Sequence, residues 1–280
     1  MEHASARIER ILETKVALMT ELDGGMIGTV YQVDLVSGRT IVAKTGETPL
    51  VVEAQMLQYL DNHSFPVPTV IYGSDDLLLL SFIDGDSQVT PAVARDAAEK
   101  LIALHDNTAR GFGFPFDTLS GPVRQPNPWT DQWATFYATH RVQRMCDRCL
   151  ETKAINDALA KRVTGVVDRM DQLVIEPPRP ALIHGDVWTT NLLTDGERIR
   201  AFLDPACYYA HPEIELAYID WTETFGQPFF DRYDESRGIK SGFFETRRFV
   251  YRVYPLLVHV LLFGPPYDTE LAETIDRIDE

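Results

Sequence analysis

The 280-residue sequence is poor in cysteine, in long apolar runs and in basic residues. Three cysteines are too few, and odd in number, for the disulfide framework of a secreted domain. No apolar run approaches the ~18 residues of a membrane span, and residues 1–5 carry charge where a signal peptide has an apolar segment. These absences predict a cytoplasmic protein that does not enter the membrane.

The shortage of basic residues leaves the chain acidic, with 42 Asp and Glu against 26 Lys and Arg and a net charge of −16. Such a surface repels nucleic acid and anionic membranes, and it favours cationic or small-molecule partners. Hydrophobic residues make up 45% of the chain, enough for a packed core. Composition leaves the oligomeric state open, and we expect a monomer.

Residues 1–85 have the pattern of a small β-rich lobe. A helix is predicted over residues 5–18, with Ser5 as its cap. A second helix is predicted at 49–60, and alternating or β-branched residues predict strands at 29–36, 40–44, 69–72 and 77–82. We therefore predict an antiparallel N-terminal sheet with one helix inserted into it.

Residues 86–280 have a mostly helical pattern. A helix starts at Thr90-Pro91, with proline at its first position. Further helices are predicted at 130–148, 152–174 and over most of 213–280, and short strands at 181–183, 192–193 and 199–203. The sequence predicts an α+β, bilobal, protein-kinase-like fold, with an N-terminal lobe over 1–85 and a larger α-helical lobe over 86–280.

Residues 182–204, LIHGDVWTTNLLTDGERIRAFLD, carry the most informative motif. Asp186 precedes Asn191 by five positions, and Asp204 ends the next apolar strand. Protein kinases space a catalytic-loop Asp, a metal-binding Asn and a strand-end metal-binding Asp in this way. We therefore predict that Asp186 accepts a proton from an acceptor hydroxyl, while Asn191 and Asp204 bind Mg²⁺ on ATP. The alternative is an Asp-rich hairpin without catalytic function.

Upstream residues supply the remaining parts of an ATP site. Gly24, Gly25 and Gly28 form a turn between strands, where bare backbone can approach phosphates. Lys44 ends the IVAK strand, where a kinase places the lysine that contacts the phosphates, and Glu53 on the next helix can pair with it. The sequence contains no GxxxxGK[ST] segment, which argues against a P-loop enzyme.

The segment HGDVWTTN…FLDPACYYAHPEIELAYIDWTETFGQPFFDRY resembles the fructosamine (ketosamine) kinases, which have an aminoglycoside-phosphotransferase-like fold. Other similar stretches are ALHDNT at 103–108, FGFPFDT at 112–118, WTDQWATFYATHRVQ at 129–143 and YPLLVHVLLFG at 254–264. The resemblance spans nearly the whole chain. It implies an ATP- and Mg²⁺-dependent kinase that phosphorylates a sugar hydroxyl of fructosamines or ribulosamines and so takes part in deglycation repair.

The resemblance also implies roles for further residues. Backbone groups of Ser81, Phe82 and Ile83 would form the hinge that binds adenine, and His184 would brace the catalytic loop. An aromatic wall and a carboxylate suit a sugar face and an amine. The candidates for this acceptor pocket are Trp188, Tyr209, His211, Glu215 and Trp221.

The chain departs from the family pattern at several positions, which leaves the acceptor open. After its first glycines the family has Ser or Cys, then Ile and Asn, whereas this chain has Met26-Ile27-Gly28. Thr190 stands at the position before the metal-binding Asn, where the family often has Gly. One alternative is a phosphotransferase acting on an aminoglycoside, a choline-like alcohol or another amino sugar. A nucleotide-binding pseudokinase is a further alternative, disfavoured by the presence of Lys44, Asp186 and both metal ligands.

Overall fold

A five-stranded antiparallel sheet forms the N-terminal part of the chain in a computed structural model that describes residues 2–22 and 28–280. The strands follow the order β1-β2-β3-β5-β4 across the sheet. They span Val16–Leu22 (β1), Thr29–Leu35 (β2), Thr40–Thr45 (β3), Val70–Gly73 (β4) and Leu77–Ser81 (β5). The four strands predicted from the sequence are confirmed, and β1 is a fifth that the sequence did not predict.

Two helices pack on opposite faces of this sheet. The first, α1, spans Glu2–Leu12, and the second, α2, spans Leu50–Asn62. Successive residues of a strand point to opposite faces, so Leu77 and Leu79 of β5 join a small apolar cluster with Ile8 of α1. Leu78 and Leu80 join a much larger cluster that contains the buried side of α2. The sheet therefore separates two apolar clusters.

The helix predicted over residues 5–18 is wrong at both ends. It begins before Ser5, which is therefore not its cap, and it ends before Glu13. Glu13 has a φ of +52°, a left-handed conformation in which a right-handed helix cannot continue. The Glu9 carboxylate accepts a hydrogen bond of 3.1 Å from the backbone N–H of Val16. Val16 thus begins strand β1 instead of continuing the helix.

Helices make up most of the remainder, as predicted. They span Pro91–His105 (α3), Trp133–Phe136 (α4), Arg144–Glu151 (α5), Asp157–Val167 (α6), Met170–Leu173 (α7), Glu213–Trp221 (α8), Gln227–Arg237 (α9), Arg248–Phe263 (α10) and Tyr267–Asp279 (α11), with π-helical turns at Tyr137–Gln143 and Phe243–Arg247. The Thr90 hydroxyl caps α3 by accepting from the N–H of Val93 at 3.2 Å. Within the two described ranges, no helix has both the length and the apolar composition of a bilayer span.

Three small antiparallel pairs of strands lie among these helices. They are β6 (Thr118–Ser120) with β7 (Val123–Gln125), β8 (Ala181–Ile183) with β11 (Tyr208–Ala210), and β9 (Leu192–Thr194) with β10 (Ile199–Phe202). The strands predicted at 181–183, 192–193 and 199–203 are confirmed. The β6–β7 hairpin, between α3 and α4, was not predicted from the sequence.

The larger apolar cluster joins the two parts of the chain. It includes Leu57 and Leu60 of α2 together with Leu101 of α3 and Leu257 of α10, all of them buried. The α+β, bilobal, kinase-like fold class is confirmed, with a small antiparallel sheet followed by a mostly helical region. The division at residue 85 stays a prediction, and all five strands of the sheet lie before it.

A buried ion pair links α8 to the π-helical turn before α10. The Arg247 guanidinium donates to both carboxylate oxygens of Glu213, at 2.7 and 2.6 Å. It also donates to the carbonyls of Lys240 and Ser241, at 3.0 and 2.9 Å. Both charged side chains are less than a tenth exposed, so each one depends on the other for its neutralisation.

We expect Glu213→Ala to lower the free energy of unfolding by about 3 kcal/mol or more, because it leaves the Arg247 charge buried without a counter-ion. Urea denaturation followed by circular dichroism measures this change. The matched control is Glu245→Ala, an exposed carboxylate two residues before Arg247, which should cost less than about 0.5 kcal/mol. Equal losses for the two variants would contradict the assignment.

Candidate active site

The segment between β8 and β9 forms a closed loop that returns Asn191 to Asp186. Residues 189–191 make one turn of 3₁₀ helix. The Asn191 side-chain amide donates to the Asp186 carbonyl at 3.0 Å and to its carboxylate Oδ2 at 2.9 Å. The five-residue spacing noted in the sequence therefore places the two side chains in direct contact. Because both bonds use the amide nitrogen, the amide oxygen of Asn191 is left to act as an acceptor or ligand.

Gly185 sets the direction of this loop. Its φ is +87°, and a Cβ at this position would lie 2.4 Å from the carbonyl oxygen of Ala206, so only glycine fits. Its N–H donates to Oε1 of Glu215 at 2.7 Å. The other oxygen of Glu215 lies 2.8 Å from Nε2 of His105, whose Nδ1 lies 2.7 Å from the Tyr233 hydroxyl. The loop is thus tied to α8, α3 and α9 together.

Asp186 is surrounded by groups that change its acidity. Burial raises the pKa of its carboxyl to about 7, the polar Tyr218 hydroxyl opposes this rise, and the charge of Asp204 adds to it. Tyr218 lies on α8, three residues after Glu215 and hence on the same helix face. A carboxyl with this pKa exchanges a proton near neutral pH, as a general base must.

His184 supports the loop between β8 and β9 from the protein interior. It is fully buried, and burial lowers the pKa of its imidazole to about 4, so the ring is neutral. Its Nδ1 accepts a hydrogen bond of 3.3 Å from the backbone N–H of Asp186. The expectation that His184 braces the loop agrees with this contact.

Asp204 lies beside Asn191 because of a backbone hydrogen bond. The N–H of Leu203 donates to the carbonyl of Asn191 at 2.9 Å. Asp204 follows with a φ of +49°, a left-handed conformation that Asp tolerates better than most residues. Its side chain is 53% exposed. The carboxylate therefore faces the cleft instead of the core.

Lys44 of β3 and Glu53 of α2 form the expected ion pair. The ammonium of Lys44 donates to the two oxygens of Glu53 at 3.1 and 2.8 Å, and to Oδ1 of Asp204 at 3.0 Å. Burial lowers the pKa of Lys44, but the opposite charges of Glu53 and Asp204 outweigh burial and hold that pKa above its ordinary range. The structure thus brings Lys44, Glu53, Asp186, Asn191 and Asp204 together, although 160 positions separate Lys44 from Asp204.

The predicted adenine hinge follows strand β5. The N–H of Ser81 donates to the carbonyl of Thr69 at 2.9 Å, and its hydroxyl accepts from the Thr69 N–H at 2.9 Å. The backbone N–H groups of Phe82 and Ile83 have no hydrogen-bond partner among the described residues, so they remain available to a ligand. Their adenine-binding role stays a prediction.

The predicted phosphate-binding turn is only partly described. Gly24 and Gly25 lie outside the described residues. Gly28 has a φ of +87°, and a Cβ there would lie 2.3 Å from the Thr45 carbonyl oxygen. Glycine is therefore required where β2 begins beside the end of β3.

A cavity of about 190 Å³ adjoins these side chains. Its walls come from α2, the β6–β7 hairpin, the catalytic loop, α8 and α10. Two of the five predicted acceptor residues, Trp188 and Glu215, line it, as do Asp186, Tyr218 and His259. Glu215 is only 2% exposed. Its two carboxylate oxygens contact Gly185 and His105, so its main role here is to support the loop.

The other three predicted acceptor residues are not among the described residues that line this cavity. The Tyr209 hydroxyl lies 3.0 Å from that of Tyr59 on α2. Nδ1 of His211 accepts from the N–H of Glu213 at 3.0 Å, and burial lowers the pKa of the His211 imidazole to about 3. The Trp221 indole donates to Glu270 at 2.6 Å. Tyr209 thus packs against α2, whereas His211 and Trp221 pack against α10. An acceptor-binding role for all three stays a prediction.

Several residues of the site were missed in the sequence. His105 lies in the ALHDNT stretch that carried the resemblance, and the Gly of HGD is Gly185, so both could have been found there. Tyr218 could have been found from its spacing of three residues after Glu215. His259 lies in the YPLLVHVLLFG stretch that also carried the resemblance, but its helical apolar pattern looks like ordinary core.

The model of the family described as "Fructosamine kinase" matches residues 1–280, the full length of the chain. The chain belongs to the fructosamine kinase family. It is therefore a kinase, and family membership implies ATP as its phosphoryl donor.

Other proteins similar to this fructosamine kinase family member carry related names. A chloroplastic protein-ribulosamine 3-kinase of Oryza sativa subsp. indica is 30% identical over 280 residues, covering 94% of this chain and 79% of the rice protein. A probable ketoamine kinase of Synechocystis is 35% identical over 190 residues, covering 64% of this chain and 60% of that protein.

Solved structures resemble the fold of this family member over nearly its full length. A crystal structure of a candidate fructosamine-3-kinase from Thermobifida fusca has a TM-score of 0.87 and 30% identity, covering 99% of both chains. An aminoglycoside phosphotransferase crystallised with AMP-PNP and hygromycin B has a TM-score of 0.69 at 18% identity, covering 100% of this chain and 97% of that one. The latter shows a shared fold alone.

We expect Tyr218→Phe to move the acidic limb of the pH profile of kcat/KM upward by about one pH unit. The phenol stabilises the ionised carboxylate, so its loss raises the pKa of Asp186 and leaves less of the base ionised at a given pH. Steady-state kinetics from pH 5 to 9 measures the shift, roughly the range over which such a base titrates. Tyr72→Phe, which alters a ring packed against the α1 cluster, should leave the limb in place. An unshifted or lowered limb in Tyr218→Phe would sink the assignment.

Proposed function

We propose that this kinase transfers the γ-phosphoryl group of ATP to a sugar hydroxyl of ketosamines, the fructosamine or ribulosamine adducts of amines. One observation carries the proposal: Asp186 lies at the cavity wall, where Asn191 holds it beside the Lys44–Asp204 pair. The chain also matches the fructosamine kinase family over its full length. Such a reaction fits a deglycation role in the cytoplasm, by a monomer.

In this proposal Asp186 orients the acceptor hydroxyl and accepts its proton. The hydroxyl oxygen forms a bond to the γ-phosphorus as the bond from that phosphorus to the bridging oxygen of ADP breaks, and ADP leaves. Lys44, held by Glu53, contacts the phosphates. The backbone of Ser81, Phe82 and Ile83 binds adenine, and Gly24, Gly25 and Gly28 bring backbone N–H groups to the phosphates.

We further propose that Asn191 and Asp204 hold Mg²⁺. The residues fit this ion, because the Asn191 amide oxygen is left free by the two bonds of its nitrogen and the Asp204 carboxylate faces the cleft. Mg²⁺ usually takes one or two protein oxygens and completes its coordination with phosphate oxygens and water. The ion would neutralise charge on the phosphates. In the described residues no cluster of three or more His, Cys, Asp or Glu side chains offers a fuller metal site.

The acceptor is proposed to bind between Trp188 and the wall of α10. Trp188 is half-buried and lines the cavity, so its ring can cover a sugar face. His211 and Trp221 pack against α10, and Tyr209 packs against Tyr59 of α2. These three belong to the acceptor proposal only as residues behind the cavity lining, and Glu215 as the support of the loop.

We expect Asp186→Asn to lower kcat by about 10²–10⁴-fold, because the amide cannot accept the hydroxyl proton. The dissociation constant of Mg·ATP, measured by calorimetry, should change little. Asp61→Asn, an exposed residue of α2, is the matched control and should retain full turnover. Near-full activity in Asp186→Asn would remove this residue from the mechanism.

An ATP-consumption assay on four acceptors tests the proposed function. We expect turnover with fructosyl-lysine and ribulosyl-lysine, and none with kanamycin or choline. Asp186→Asn serves as the background control for ATP hydrolysis without transfer. Turnover confined to kanamycin or choline would reject the ketosamine proposal in favour of another acceptor for the same fold.

A further inference from the structure

The segment that follows the predicted adenine hinge is fastened to strand β9. Asp86 and Thr194 pair as an isolated antiparallel bridge, in which each backbone N–H donates to the carbonyl of the other residue, at 3.0 and 2.7 Å. The Ser87 hydroxyl adds a hydrogen bond of 3.1 Å to the carbonyl of Leu192. We call this contact of residues 85–87 with β9 the clasp.

The Thr194 side chain closes the clasp. It is fully buried, and its hydroxyl donates to Oδ1 of Asp86 at 2.7 Å. This bond lowers the pKa of the Asp86 carboxyl below its ordinary value, so the carboxylate is ionised and the bond is charge-assisted. Gly85 permits the close approach of the two segments, because a Cβ there would lie 2.8 Å from the carbonyl oxygen of Thr194.

A second set of contacts joins the hinge to strand β10. The backbone N–H of Phe202 donates to the carbonyl of Pro66 at 2.8 Å. The Phe202 ring stacks on that of Phe65, with the ring centroids 4.6 Å apart. Three residues after Pro66, Thr69 shares two hydrogen bonds with Ser81, the first residue of the hinge. The β9–β10 hairpin is therefore joined to the hinge from two sides.

This hairpin also connects the two proposed metal ligands. Asn191 directly precedes β9, and Asp204 lies two residues after the end of β10. Adenine would bind at the hinge and the metal-bound phosphates at the hairpin, so ATP would span the two. Its affinity then depends on how closely the protein presets the distance between them.

We propose, on the basis of the function proposed above, that the clasp presets the distance between the adenine hinge and the metal ligands. Thr194 and Gly85 are then positioning residues for Mg·ATP, although neither needs to touch the nucleotide. A loosened clasp leaves each end of the nucleotide site intact but lowers the fraction of molecules in which both ends are correctly spaced. The apparent dissociation constant of Mg·ATP rises in proportion.

Two ligands distinguish positioning from direct binding, because Mg·ATP spans both ends of the site and adenosine reaches only the hinge. Thr194→Val removes the side-chain hydrogen bond, and Gly85→Ala adds a Cβ that pushes the segment away from β9. We expect each variant to raise the dissociation constant of Mg·ATP, measured by calorimetry, at least about fivefold. The dissociation constant of adenosine, measured by titration under the same conditions, should change less than about twofold.

Three further variants serve as controls. Thr194→Ser keeps the hydroxyl and should retain the affinity for Mg·ATP within about twofold. Thr224→Val removes a different buried hydroxyl, which lies 2.7 Å from that of Thr222, and tests whether a general loss of stability weakens binding. Gly165→Ala adds a methyl group in α6, where nothing in the described part of the chain lies within 4 Å of the added carbon. The last two should bind Mg·ATP as the unaltered protein does.

The possible results separate the inference from the proposed function. Unchanged affinity for Mg·ATP in both Thr194→Val and Gly85→Ala would overturn the inference and leave the proposed function standing. Equal weakening of Mg·ATP and adenosine would also overturn it, because the clasp would then shape the hinge alone. Failure of the unaltered protein to bind Mg·ATP would overturn the proposed function, and the inference with it.

Discussion

One buried carboxylate holds the loop between β8 and β9 in place. Glu215 accepts the Gly185 N–H at 2.7 Å with one oxygen and lies 2.8 Å from His105 with the other. Gly185 can adopt its left-handed conformation only because it lacks a Cβ. The direction of Asp186, the next residue, follows from both conditions. The proposed catalytic carboxylate is therefore positioned by groups that need not touch either substrate, and α3, α8 and α9 all contribute to its position.

The sequence predicted those parts of the site whose residues are close together along the chain or belong to a known motif. A five-residue spacing brings Asn191 back to Asp186 through a single turn, and the strand pair β9–β10 then returns Asp204 to the same place. Lys44 and Glu53 are nine residues apart, at the end of one strand and the start of the following helix. Each of these residue types is common by itself, and it was their order and spacing along the chain that predicted the grouping. Their roles stay a prediction.

The acceptor pocket could not be predicted in the same way, because aromatic and histidine side chains serve core packing equally well. Tyr209 meets Tyr59 across 150 positions, a contact that no local pattern announces. The wall formed by α10 has the periodicity of an ordinary buried helix. The start of β1 was mistaken for helix for a related reason, since the break depends on the φ of Glu13 and not on a glycine or proline.

The division of apolar side chains by the sheet bears on how the chain could be cut. The α1 side holds a small cluster of seven buried residues, whereas α2 contributes Leu50, Leu57 and Leu60 to the cluster shared with the helical region. A fragment ending near residue 85 would carry α2 with its apolar side stripped of partners and open to water. The sheet and its two helices therefore have one apolar side that is complete in itself and another that depends on residues from the following sequence.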